Sequence, residues 1–542
     1  MGVCRVAPDH TQLPERIRDP ETLPKATTPG HSVTATRHHH TRQTQTLCVP
    51  DEQEFLACTK GLASIRRQGD KIRQVHFDYA VRGFILASPT VIALASGSTI
   101  SNTMKLALLL PYLATILPTS AFTRAERPMA NALIAFMALT TLGVVRYALN
   151  PSGPSLSSFL IPLITLAVVV VWTPLKLWSG SDPSDEVAIR IRCAAFSPIL
   201  LPIVNVGMWI AGFSAASTGT TFSTPGPNET LASFGLSADR VALPLTPSLN
   251  AAGVLGAIAL TVSVALLPRS NRLQRAVCCL GVICGAASVL ITDTRGAMLG
   301  VLLALVMMVV ITRRERSGGR AALLLVLIAP LMLLVSQVVG SSLAWLSGTD
   351  GRSLQSASSR SMIWSNAIDL LSHPSIEQLF GYGLYGQVSS GLTIQTLYVF
   401  EYYLHPLYVT LHNTVLQNGV DFGLVGIAAY CWLVVVGVKT INRHRIVDAS
   451  NSSNALLAGL IVIVILGSTE AVATLYSMPS LAELVVIYVA GACRPPQLSS
   501  RILRSASAPG NDGRRGSTNS RQPTGTSHSA LITSIRPTAE AG

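Results

Sequence analysis

Between Gly83 and Cys493 the chain repeats one pattern: an apolar run, a short polar connector, then another apolar run. Each run is near the roughly 20 residues that a helix needs to cross a hydrocarbon core about 30 Å thick. The runs fall at about 84–100, 106–122, 129–148, 157–178, 194–214, 249–267, 273–291, 295–312, 321–340, 418–438, 454–470 and 476–493. They predict an all-α polytopic membrane helix bundle of about twelve transmembrane helices.

The connectors test that reading. TRAER (123–127), the stretch ending AIRIR (188–192), PRSNRLQR (268–275), TRRERSGGR (312–320), KTINRHR (439–445) and RPPQLSSRILR (494–504) are basic. They occupy every second connector and the segment after the last run, so they belong on the cytoplasmic side, and both termini with them. The connectors left outside include 215–248 and the largest, 341–417. A polar loop of that size between helices is seldom without a task. Within it, SSRSMIWSNAIDLLSHP (358–374) carries apolar residues at helical spacing, predicting a partly helical extracytoplasmic loop. Ser358 or Ser359 is the expected N-cap, which puts Arg360 in the first turn.

Three domains follow: a basic, disordered cytoplasmic extension over 1–82, a membrane domain over 83–493, and a disordered cytoplasmic tail over 494–542. The extension lacks the apolar core of a signal peptide. Composition agrees with a membrane protein, since only 12% of residues are charged and the mean hydropathy is +0.45. The net charge of +13 could suggest nucleic acid, but no basic stripe interleaved with aromatics is present, and none is expected as a partner. Nine cysteines occur, none in the long outer loops, so neither a disulfide framework nor a CxxC metal site is indicated. RHHH (37–40) has no partner cluster and reads as part of a solvated tail.

The candidate chemistry lies on the outer side. In ITDTRGAMLG (291–300), Arg295 begins a membrane helix, where the dipole disfavours a cation and a bound anion would offset the cost. Arg360 repeats that arrangement on the loop helix. In LHNTVLQNGVDFG (411–423), His412 stands at the membrane boundary beside Asn413, and Gly419, Gly423 and Gly426 are spaced to let another helix pack closely. An imidazole is suited to take a proton from a hydroxyl group. Glu470 at a helix end and Asp421 could orient His412 or pair with an arginine, and Tyr382 and Tyr385 could line a glycan path. No DxD pair, HExxH, Walker loop or GxGxxG in a strand context appears, so metal-assisted and NTP-driven chemistry are disfavoured and no cofactor is expected.

Outside the cytoplasm a group-transfer donor must arrive already activated and membrane-borne, as a glycan on polyprenyl pyrophosphate does. Its leaving group needs charge stabilisation more than protonation, which fixed arginines supply. The order DTRGAMLG, SSRSMIW, LFGYGLYG (379–386) and LHNTVLQNGVDFGLVG, preceded by PSLNAAG (247–253), resembles the O-antigen ligase and Wzy-type polysaccharide polymerase superfamily. The resemblance implies an inverting, metal-independent membrane glycosyltransferase of cell-envelope polysaccharide biosynthesis in the bacterial inner membrane. It implies His412 as the base, Arg295 and Arg360 as pyrophosphate contacts, and a glycan, lipid or protein acceptor. A carrier or flippase for a lipid-linked sugar or small anion is the alternative from the residues themselves. It requires polar groups along the spans.

Overall fold

The computed structural model describes residues 78–95, 102–107, 125–149, 156–179, 184–213, 227–246, 248–313, 320–328, 352–395, 409–448 and 451–493, plus isolated positions. The first 77 residues with RHHH, most of the expected run 106–122, the second half of 321–340, the loop tyrosines Tyr398, Tyr402, Tyr403 and Tyr408, and the tail 494–542 lie outside the described residues. Among the described residues the regular structure is helical, and β pairing is confined to isolated bridges.

The helices, in chain order, are α1 (Asp78–Ala95), α2 (Asn102–Ala107), α3 (Arg127–Leu149), α4 (Leu156–Trp178), α5 (Ser184–Ile210) and α6 (Glu229–Ser233). They continue with α7 (Leu249–Leu266), α8 (Arg272–Ile291), α9 (Arg295–Arg313) and α10 (Arg352–Ser372). The last six are α11 (Ile376–Phe380), α12 (Gly386–Ser389), α13 (Leu392–Gln395), α14 (Thr414–Asp448), α15 (Asn451–Leu466) and α16 (Met478–Ala492). Nine helices among the described residues are long and apolar enough to cross a membrane, and α15 is a shorter apolar one. The chain is therefore an all-α polytopic membrane protein. The expected first run begins at Asp78 rather than 84, because Arg82 and Asp78 are neutralised by Glu186 and Arg190 and so can stay helical.

Helix starts follow local chemistry. The Ser248 side chain accepts the Ala251 N–H at 3.1 Å to begin α7, and Asn271 with Gln274 forms a reciprocal capping box on α8. Prolines inside α4 and α5 remove backbone donors, and at Pro198 the Ser197 hydroxyl covers the Ala194 carbonyl at 2.9 Å. The centre of the bundle is α15 and α16, whose residues are nearly all buried and which pack on each other and on α4, α5, α7, α9 and α14.

The basic connectors gather at one end. Glu126 pairs with Arg443 at 3.4 Å, Arg445 donates to the Ile311 carbonyl, Asn451 to the Leu266 carbonyl, and Ala125 bridges Cys493. At the distal end, the N-termini of α7, α9 and α14 meet the 467–476 strap between α15 and α16. The large loop returns there too, with the Leu384 N–H bonding the Gly143 carbonyl near the end of α3. Alternate connectors thus lie at opposite ends, as the charge pattern predicts.

Candidate functional site: a carboxylate hub at the distal end

Glu470 sits on the strap after α15 and collects three donors. Its Oε1 accepts from Arg360 Nη2 at 2.8 Å and from Asn250 Nδ2 at 3.2 Å, while Oε2 accepts from His412 Nδ1 at 2.9 Å. Arg360 also donates through Nη1 to the Thr469 carbonyl at 3.0 Å, so its planar fork spans two consecutive strap residues. Burial alone would raise the Glu470 pKa, but the Arg360 and His412 charges and hydrogen bonds outweigh it and hold the carboxyl at about 2. The group is therefore an anion at neutral pH. An anionic carboxylate can only accept, so His412 turns a protonated Nδ1 toward Glu470, and Nε2 is the ring nitrogen that does not face it.

The backbone around His412 is tightly determined. His412 has a left-handed φ of 49°, uncommon for a side chain of this size. Leu411 before it is held on both sides: its N–H reaches Gln417 Oε1 at 3.0 Å, and its carbonyl accepts from Trp364 Nε1 at 2.7 Å. Asn413 after it caps α14, accepting the N–H groups of Val415 and Leu416 at 3.0 Å, and donates to the Ser468 carbonyl at 2.9 Å. Asn413 thus ties the start of α14 to the strap that carries Glu470.

Arg295 opens α9 as the sequence predicts. It pairs with Glu229 on α6 and lies 3.8 Å from Asp293, with half of its side chain exposed. Asp293, itself at a φ of 50°, accepts the Glu229 N–H and the Thr230 hydroxyl, which docks α6 onto the turn between α8 and α9. The next residue, Gly296, abuts the strap: a Cβ there would stand 3.1 Å from Thr469 Oγ1. The first turn of α9 therefore borders the Arg360–Glu470–His412 chain.

Several expectations change. The loop helix begins at Arg352, not beside Ser358 or Ser359, so Arg360 lies in its third turn and is not set against a helix dipole; its position is fixed by Glu470 instead. Two further arginines lie at the distal end. Arg146 in the last turn of α3 donates to the Gly381 carbonyl, and Arg240 donates to the Thr292 carbonyl at 2.9 Å.

Asp421 joins neither His412 nor an arginine. It accepts from the Gly386 N–H at 3.0 Å, from Gln417 Nε2 at 3.1 Å and from the Tyr476 hydroxyl at 3.0 Å. Tyr385 is buried, with its ring against Tyr147 and Tyr476, because Asp421 and Tyr476 draw its turn inward. It packs the loop rather than facing a glycan path. Tyr382 is half-buried and its N–H bonds the Val420 carbonyl.

The glycines after His412 receive loop elements rather than a spanning helix. Gly423 breaks α14 with a φ of 69° and meets the backbone of Leu379 and Phe380 in α11, and Gly419 meets Leu371 in α10.

Sequence reasoning reached Asn250 only as the asparagine of PSLNAAG and did not single out Trp364, Gln417, Tyr476 or Arg146. Trp364 and Gln417 had a usable signal. Trp364 stands four residues after Arg360, and Gln417 four before Asp421, each pair sharing a helix face. Tyr476 had none, since its partners come from distant segments. No group of His, Cys, Asp and Glu among the described residues could hold a metal ion.

No curated protein matches the chain. Residues 280–431, from within α8 through the large loop to the middle of α14, match the family model described as O-antigen ligase. The match takes in Arg295, Arg360 and His412. The chain is thus a multi-pass membrane protein that carries, over residues 280–431, a segment similar to the O-antigen ligase family, a group of the glycan-transfer type in cell-envelope polysaccharide synthesis.

Proposed function

We propose that the protein transfers or polymerises a glycan from a polyprenyl-pyrophosphate donor onto an acceptor hydroxyl at the extracytoplasmic face of a bacterial inner membrane. The observation that carries this reading is the unbroken chain from Arg360 through Glu470 to His412. The basic connectors gathered at the opposite end support a distal end that faces outward and cytoplasmic termini.

In this reading His412 Nε2 takes the proton of the acceptor hydroxyl as its oxygen attacks the anomeric carbon. The bond from that carbon to the pyrophosphate oxygen breaks, and its electron pair leaves with polyprenyl pyrophosphate. Attack opposite the leaving group inverts the centre. Glu470 stabilises the imidazolium formed at His412, as a buried carboxylate does for a histidine base. Arg360 and Arg295 stabilise the diphosphate. Arg295 is available for this because its partner Glu229 is a half-exposed residue in a surface pair, which a polyanion displaces at small cost. The reaction requires no metal.

The test uses the full chain in membranes with a lipid-linked glycan. His412→Ala is expected to insert and fold while donor accumulates untransferred, and wild-type transfer should persist in chelator. Full transfer by His412→Ala would remove the base assignment.

One observation favours a second reading, a carrier for the lipid-linked sugar. Glu483 lies five residues into α16, fully buried, with neither carboxyl oxygen hydrogen-bonded among the described residues. An ionisable group inside a span is a feature of transport pathways. Purified protein in liposomes separates the two: movement of donor between leaflets without covalent transfer favours the carrier.

A further inference from the structure

Below the Glu470 hub lies a second buried polar network, and its centre is Gln417. Its Oε1 accepts the Leu411 N–H at 3.0 Å, and its Nε2 donates to Gln387 Oε1 at 2.9 Å and to both Asp421 oxygens at 3.1 Å. Asp421 in turn accepts from the Gly386 N–H and the Tyr476 hydroxyl, and that hydroxyl accepts the Tyr385 N–H at 2.7 Å. Gln387, Gln417 and Asp421 are all at most 2% exposed. Three segments are joined: the residue before His412, the LFGYGLYG turn of the large loop, and the strap that runs on from Glu470 to Tyr476.

The arrangement is polar in a directional sense. A backbone N–H can only donate, so the Leu411 N–H fixes the Gln417 amide with its oxygen toward Leu411 and its nitrogen toward the Asp421 carboxyl oxygens. That oxygen is the acceptor for the backbone N–H immediately before the left-handed His412. A lone buried amide could flip; this one is held at both ends, by the Leu411 N–H and by Asp421. Displacing a base by about 1 Å is enough to cost roughly 100-fold in rate.

From this geometry we infer that Gln417 is a positioning residue for His412, oriented by Asp421 and coupled through Asp421 and Tyr476 to the docked large loop. Gln417 touches no reacting atom; it sets where the imidazole stands. This rests on His412 acting as the base. The consequence is that loop docking and base placement are one event, since the Tyr385–Gly386 turn supplies two of the N–H groups that the network consumes.

The experiment measures kcat and KM for lipid-linked donor, with His412→Ala alongside. Gln417→Glu places two carboxylates together and should lower kcat by about 10- to 100-fold with KM within about twofold. Adding Asp421→Asn restores an amide–carboxylate pair with reversed polarity and should recover most of the lost kcat. A structural role alone would lower the folded amount without a kcat loss that the second change repairs.

Wild-type kcat in Gln417→Glu, or no recovery in the double variant, overturns the inference. If Gln417→Glu does not fold, Tyr476→Phe keeps the ring against Tyr385 and removes only the hydroxyl. A kcat loss of about threefold or more at unchanged KM supports the coupling, and an unchanged kcat overturns it. Full activity of His412→Ala would remove the underlying function instead, and with it this role for Gln417.

Discussion

Arg360 and Trp364 stand four residues apart on α10 and grip the His412 segment from two directions, Arg360 through Glu470 and Trp364 through the Leu411 carbonyl. The spacing places both on one helix face. α10 belongs to the large loop, so the loop supplies part of the scaffold of the site and does more than cover it. Its apolar face, with Ile363, Trp364, Ala367 and Leu371, packs on Leu411, Leu416 and Val420 and holds that scaffold against α14.

Arg360→Lys separates charge from geometry. Lysine keeps the cation but cannot span the Glu470 carboxylate and the Thr469 carbonyl with a planar fork. Transfer is expected to fall by about 100-fold, the scale of losing one fixed donor to a developing anion. Steady-state transfer from lipid-linked donor measures it, and a loss under twofold would argue against a diphosphate contact at this position.

The low pKa of Glu470 sets an acid limit. Folding depresses the carboxyl from its ordinary 4.5 to about 2, so its contribution to stability is fully present above 4.5 and is lost as the pH falls toward 2. Thermal unfolding between those values should show stability falling with acidity in the wild type. In Glu470→Gln that slope should be flatter, since an amide does not titrate. Equal slopes in both proteins would contradict the ion-paired state of Glu470.

What the sequence made legible was what depends on local pattern. Ten of the twelve expected runs correspond to helices described along most of their length, the described first half of the run 321–340 is helical too, and Arg295 opens α9 as its capping context predicts. The grouping of Glu470 with His412 was foreseen as one option among several, because a helix-end carboxylate has no local feature that names its partner. Ser358 and Ser359 resemble caps and locally point to a first turn for Arg360, yet the helix runs back to Arg352 and is held by long-range contacts. Nearness in sequence groups Asp421 with His412. Its side chain instead serves Gly386 and Tyr476, 35 and 55 positions away.

Glu229→Gln probes the site from its solvent side. The pair with Arg295 is about half exposed on both partners, so its loss should change stability by no more than about 1 kcal/mol. Releasing Arg295 from a competing carboxylate should nonetheless tighten the donor, lowering KM severalfold and leaving kcat nearly unchanged. Arg295→Ala should raise KM in the opposite direction. If both variants leave KM at the wild-type value, Arg295 takes no part in donor binding.

Docking of the loop against α14 depends on two glycines that face each other's backbones. Gly381 has a φ of 73° and meets the backbone of Asp421 and Phe422, while Gly423 has a φ of 69° and meets Leu379 and Phe380. Any side chain at either position collides with a main chain that cannot rotate away, and the left-handed φ adds about 1 kcal/mol or more of strain. Gly381→Ala and Gly423→Ala should therefore release the 376–389 segment from α14 while the spanning helices stay inserted. The release would withdraw the Gly386 and Tyr385 N–H groups from Asp421 and Tyr476. Limited proteolysis of the detergent-solubilised protein should then cut within this segment in the variants and spare it in the wild type, and transfer should fall in parallel. Wild-type protection in both variants would mean that the close backbone approach at Gly381 and Gly423 does not hold the loop.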